Sequence, residues 1–175
     1  MGCCFTKSSI DKMSKLLKEA TLDNIPHLIA KGTRGFAKVL KCIDGDTFHL
    51  AFELQGTNKL YQHKCRAFGY NTQEIKGENA NDGKFIRDKV KGLIENKIVF
   101  FESYGPEKYG RILVQIWFIN DLSDPTKYQN LQLPHPSWTC LNEYILDTFD
   151  DQYVIPMNKK GQNMGAFNSD SNHLP

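Results

Sequence analysis

Hydrophobic positions along the chain switch between helical and strand periods four times. Residues 8–20 (SSIDKMSKLLKEA) place Ile10, Met13, Leu16, Leu17 and Ala20 on one helical face, with Lys12, Lys15 and Lys18 elsewhere. Ser8 and Asp11 have the spacing of a capping box at its start. Residues 23–32 (DNIPHLIAKG) read as a second short helix, with Asn24 as cap, Pro26 in the first turn and Gly32 at the end. From Gly35 the period becomes two. The runs 35–43, 47–54 and 59–68 read as strands, separated by turn signals at Asp44-Gly45 and Gly56-Thr57-Asn58. Residues 78–96 return to helical spacing through Phe85, Ile86, Val90, Leu93 and Ile94. Two further strands follow at 97–104 and 109–119, with a turn at Gly105-Pro106 between them. Residues 121–138 read as a polar, proline-bearing loop, and 139–146 as a short helix.

Three strands, a helix, two strands and a helix predict a mainly β, α+β fold. The expected architecture is a small five-stranded barrel of the OB type with accessory helices. Three regions are expected: an N-terminal segment over 1–33, the barrel domain over 34–155, and a disordered Gly/Asn/Ser-rich tail over 156–175.

Composition narrows the class of partner. The 175 residues are 40% hydrophobic and 11% aromatic, which is enough for one real core. A formal charge of +2 excludes a simple basic-tail binder, so an anionic partner must be recognised by local placement of charge. No run approaches the ~18 apolar residues of a membrane span, and no signal-peptide core follows Met1. Five cysteines without a repeated C-x-x-C spacing fit a reducing, intracellular setting with free thiols. Cys42 and Cys65 have two other options: pairing with each other, or joining His49 and His63 around zinc.

The opening MGCCFT carries a different signal. Gly2 with Thr6 matches the N-myristoylation pattern, and Cys3 and Cys4 are adjacent candidates for palmitoylation. One acyl chain holds a membrane marginally and two hold it stably. The expectation is a membrane-associated protein on the cytoplasmic face. The helix at 8–20 then has two readings, lying on an anionic membrane surface or packing on the domain.

Four segments concentrate chemistry: IDGDT (43–47), RAFGYNTQEIK (66–76), EKYGR (107–111) and LNEYIL (141–146). Taken singly, Asp44-Gly45-Asp46 is a turn, Arg66 a solvated strand residue and Lys108–Arg111 a hairpin end. In this order and at this spacing, over about residues 35–150, they resemble the staphylococcal-nuclease (thermonuclease-like) family. The resemblance implies a metal-dependent nuclease, cutting single-stranded DNA and RNA with low sequence preference. It implies Asp46, Asn71 and the Thr72 carbonyl as ligands of Ca²⁺ or another divalent ion, with Asp44 behind them. Arg66, Glu74 and Arg111 are implied as catalytic residues, and Lys108 and Tyr109 as substrate contacts. Tyr153 is a loose candidate for base stacking.

The chemistry is coherent. Two guanidiniums grip phosphate oxygens bidentately, and a set of oxygen donors suits a hard cation with flexible coordination. Glu74 is suited to orient or deprotonate a water. Two departures from the family pattern stand out. Asn71 occupies a position where the family has aspartate, which removes one negative charge from the ligand set and predicts weaker cation binding or a changed metal preference. Gln73 replaces a proline, which removes a rigid φ but no chemistry. A monomer is expected. The competing classes are a binding module that has lost catalysis, for which Asn71 is the best support, and a membrane scaffold acting through its N-terminal helices.

Overall fold

The computed structural model describes residues 7–21, 24, 32–54, 57–119 and 134–157. The lipidation candidates Gly2, Cys3 and Cys4, most of the expected helix at 23–32 and the tail beyond Met157 lie outside these residues.

Five strands form a closed barrel: β1 (Arg34–Cys42), β2 (Thr47–Glu53), β3 (Leu60–Ala67), β5 (Ile98–Pro106) and β6 (Ile112–Phe118). β1 pairs antiparallel with both β2 and β5, β2 with β3, and β5 with β6. The seam is a parallel pairing of β3 with β6, with Cys65, Arg66 and Ala67 opposite Ile112, Leu113 and Val114. This is the expected OB-type barrel with accessory helices, mostly β.

Alternation dictates the interior. Phe48, Leu50 and Phe52 of β2, Val99 and Phe101 of β5, and Ile112, Val114 and Ile116 of β6 point inward into one core. Helix α2 (Ala80–Ile94) inserts Ile86, Val90 and Ile94 into the same core, and α3 (Leu141–Thr148) adds Leu141 and Ile145. Cys42 and Cys65 sit on either side of Phe48 in the β1–β2–β3 register as buried free thiols. They pack in the core as small hydrophobes, and among the described residues no cluster of three or more His, Cys, Asp or Glu side chains forms around them.

The opposite faces of β1 and β5 are apolar too, which explains runs such as Ile98–Phe101. Phe36, Leu40, Ile98, Phe100 and Trp138 form a second core outside the barrel, sealed by Leu17 and Ala20. The helix carrying Leu17, α1 (Lys7–Glu19), thus packs on the barrel. Of its two readings, the packing one describes the apolar face. The described span of the helix runs from Lys7 and includes Ser8.

Three short strands were not legible in the sequence: β4 (Tyr70–Thr72), β7 (Thr139–Cys140) and β8 (Val154–Pro156). β4 pairs antiparallel with β8, Asn71 opposite Ile155 and Thr72 opposite Val154. Order therefore reaches past the expected start of the tail at 156, since Pro156 is in β8 and Met157 donates its backbone N–H to the Gly69 carbonyl (2.8 Å).

Candidate active site: a cationic cleft beside a buried carboxylate

The bend between β1 and β2 presents Asp46. Its tightness follows from Gly45: a Cβ there would lie 2.8 Å from Thr72 Cγ2 and 3.0 Å from Ile86 Cγ2. The buried Tyr70 hydroxyl donates to the Gly45 carbonyl (3.1 Å), fixing the bend against β4. The sequence reading of a turn holds, and the turn is what delivers the carboxylate to Arg66 and Thr72.

Asp46 is buried, and both its oxygens are engaged. Oδ1 accepts from Thr47 Oγ1 (2.8 Å) and from an Arg66 guanidinium nitrogen (3.0 Å), while Oδ2 accepts from the Thr72 backbone N–H (2.9 Å). Asp44 backs it, its Oδ1 accepting from the Asp46 backbone N–H at 3.3 Å. Burial, reinforced by the Asp44 charge, pushes the Asp46 carboxyl up to about 6 against the opposing pull of Arg66.

The other guanidinium nitrogen of Arg66 donates to Asn71 Oδ1. Arg66 thereby bridges the side-chain oxygens of Asp46 and Asn71, so both converge on one cationic group. The same convergence fits a hard divalent ion, for which these are suitable oxygen donors. Among the described residues no cluster of three or more His, Cys, Asp or Glu side chains forms, so a cation here would draw on amide and backbone oxygens as well.

Arg111 follows a tight turn at the end of the β5–β6 hairpin. The Glu107 N–H donates to the Arg111 carbonyl (2.8 Å), and the Gly110 N–H to the Glu107 carbonyl (2.9 Å). Within this turn the Glu107 carboxylate accepts two hydrogen bonds from Arg111, from Nε and a terminal nitrogen, both at 2.9 Å. The third nitrogen points to Thr47 Oγ1 (3.5 Å), so Thr47 is shared between Arg111 and Asp46. The Arg111 bonds hold the Glu107 carboxyl below its ordinary value. His63, buried in β3, anchors the hairpin by donating from Nε2 to the Gly110 carbonyl (3.0 Å).

An open cleft of about 510 Å³ lies where these elements meet. Lys64, Arg66, Glu74, Glu107, Lys108, Tyr109, Arg111 and Met157 line it: four cations against two carboxylates, a local excess of positive charge. Tyr109 is 71% exposed, with Lys108 Nζ 4.8 Å and the Arg111 guanidinium 5.7 Å from its ring centre. Glu74 is exposed, and its backbone rests on α2. A Cβ at Gly83 would come within 2.1 Å of the Glu74 carbonyl oxygen.

Arg66, Glu74, Lys108, Tyr109 and Arg111 thus share one cleft, with Asp46, Asp44, Asn71 and Thr72 adjoining through Arg66. Tyr153 does not line it. Its ring is half-buried against Phe85, with centres 4.9 Å apart, although its carbonyl accepts the Gln73 N–H (3.2 Å). Asn142 of the fourth motif is structural: it is buried, donates to the Phe68 and Val114 carbonyls (2.7 and 3.1 Å) and accepts from the Ile116 N–H (3.0 Å).

Lys64, Glu107 and Met157 were missed by sequence reasoning. Lys64 was accessible to it, since it lies two residues before Arg66 and strand alternation puts both on one face. Glu107 is four residues from Arg111, a spacing that signals an ion pair only once the turn between them is known. Met157 had no signal.

Comparison with protein-family models finds none that matches the chain, and comparison with curated proteins finds no significant relative. The class defined by fold and site is an OB-type barrel with a cationic cleft on its outer face.

Proposed function

We propose that the protein is a divalent-cation-dependent nuclease that hydrolyses phosphodiester bonds of single-stranded DNA and RNA with little sequence preference. The observation that carries this reading is the convergence of two arginines and an exposed glutamate on one cleft, beside a buried carboxylate. The four motifs that resemble the staphylococcal-nuclease family support it.

In this reading Arg66 and Arg111 bind the anionic oxygens of the scissile phosphate, on which charge builds during in-line displacement. Glu107 holds Arg111 in one orientation through two of its nitrogens, and the third, 3.5 Å from Thr47 Oγ1, is the one assigned to that task. Glu74, exposed at the rim, orients the attacking water. Asp46, Asn71 and the Thr72 carbonyl would hold Ca²⁺ or another divalent ion, which polarises a phosphoryl oxygen when bound. Lys108 and Tyr109 contact the substrate backbone. Attachment to the cytoplasmic face of a membrane through acyl chains on Gly2 and on Cys3 or Cys4 belongs to the same proposal, with the chain as a monomer.

A second reading, a non-cutting nucleic-acid or protein binding module, is favoured by one observation: the Arg66 guanidinium already bridges Asp46 and Asn71, which self-neutralises the place of a cation. The two separate in one experiment. Single-stranded DNA is incubated with the protein in Ca²⁺ or in EDTA, beside Arg66→Ala and Glu74→Ala variants. The nuclease reading expects cleavage only with the cation and a loss of about 10²- to 10⁴-fold in each variant. Strand binding without cleavage selects the binding module. Equal cleavage by all three proteins refutes the assigned mechanism.

A further inference from the structure

Next to the cleft two aromatic rings lie face to face on the outer surface of the barrel. Phe68 and Tyr104 stack with ring centres 4.4 Å apart and planes 9° from parallel. Tyr104 is 48% exposed. A single exposed tyrosine is ordinary, but this one is held in place from several sides. The β5–β6 register shifts between Ser103 and Gly105, so Tyr104 sits in a bulge, and Gly105 supplies the left-handed backbone (φ +115°) that follows it. The Tyr104 hydroxyl donates to Gln115 Oε1 (2.7 Å), and the Gln115 amide donates to Cys140 Sγ (3.1 Å). The Phe68 carbonyl accepts from the buried Asn142 amide. The Tyr104 ring is thus anchored to β6, and the backbone that carries the Phe68 ring to the start of α3.

Their position relative to the cleft is fixed by the sheet. Phe68 follows Arg66 by two residues, in the bend that opens where β3 ends at Ala67. Leu113 of β6 pairs with Arg66 on one side and Gly105 on the other. The aromatic pair therefore adjoins the cationic cleft across the β3–β6–β5 row. A flat hydrophobic surface next to clustered guanidiniums is complementary to a single strand, with its anionic backbone and exposed bases. Because folding has already ordered the rings, a base stacking on them loses less freedom in binding.

We propose that Phe68 and Tyr104 form a stacking platform for a base of single-stranded nucleic acid, beside the phosphate held in the cationic cleft. The platform rests on the reading that the cleft binds nucleic acid. It assigns the strand a path along the outer face of β3, β6 and β5, away from Tyr153.

The test is fluorescence anisotropy with labelled single strands, the divalent ion withheld so that they stay intact. A dinucleotide, too short to span cleft and platform, is compared with a longer oligonucleotide on the unaltered protein, Tyr104→Ala and Tyr104→Trp. Tyr104→Ala is expected to weaken the longer strand about 5- to 100-fold, leave the dinucleotide unchanged, and keep the salt dependence, since no charge is lost. Tyr104→Trp is expected to restore binding. Unchanged affinity for the longer strand in Tyr104→Ala overturns the platform alone, as does an equal loss on both strands. No binding of either strand by the unaltered protein overturns the cleft reading and the platform with it. Concentration-dependent self-association that Tyr104→Ala abolishes, at unchanged strand affinity, overturns the platform in favour of a contact between copies of the chain.

Discussion

At the scale of single residues the site turns on Asp46. Its carboxyl is raised from 3.8 to about 6, first by burial and then by the Asp44 charge, so the fold favours the protonated form. That contribution is fully present below the unfolded value and is lost as pH rises through about 6. The difference corresponds to about 3 kcal/mol between the acidic and neutral limits. The thermal midpoint of the protein in chelator should therefore rise as pH falls from neutral through this range. Asp46→Asn should flatten the profile, and a flat profile for the unaltered protein would remove the argument. Glu107 acts with the opposite sign. Its carboxyl is lowered, so the stability it adds disappears only at more acidic pH, as it takes up a proton. The chain itself showed that Asp46 is a carboxylate in a turn. It could not show the burial, because the groups that enclose it arrive from β3 and β4, 20 and 26 residues further on.

Among the elements, α2 positions the loop that carries Glu74 through a missing side chain. Glycine inside a helix costs about 1 kcal/mol relative to alanine, so two of them in α2 ask for a reason. Gly83 has one, since a Cβ would strike the Glu74 carbonyl at 2.1 Å and the Gln73 carbonyl at 2.7 Å. Gly92 has open space within 4 Å. Gly83→Ala should cost about 1–3 kcal/mol in urea unfolding and, for the proposed nuclease, lower turnover by displacing Glu74. Gly92→Ala on the same helix should be neutral or stabilising by up to about 1 kcal/mol. Equal effects at both positions would show that the loop does not rest on Gly83. The pattern of residues 78–96 announced the helix without telling the glycines apart, since that distinction depends on what crosses the helix.

For the whole molecule, two cores share the barrel wall. The inner core is closed by α2 and α3, and the outer one by α1 over Phe36, Phe100 and Trp138. Leu17 is completely buried in the outer core, so Leu17→Ala should lower stability by about 2–5 kcal/mol, read as a shift in the urea midpoint. An unmoved midpoint would return the apolar face of α1 to the membrane reading. The lysines leave the burial class of this helix open in sequence, because an amphipathic stripe suits either a barrel or a lipid surface.

By itself the sequence determined the five barrel strands and the helices α1, α2 and α3, since alternation and helical spacing are local consequences of backbone geometry. It also marked Asp46, Arg66, Glu74 and Arg111 through the order of four short motifs. Only the tertiary structure decided that β3 and β6 close the barrel in parallel, that β4 is held by β8, and that Glu107 clamps Arg111. It alone brought Phe68 against Tyr104 beside the cleft. Each of these joins residues distant in the chain or separated by a turn whose shape is set by packing, and no local pattern encodes which distant surfaces will meet.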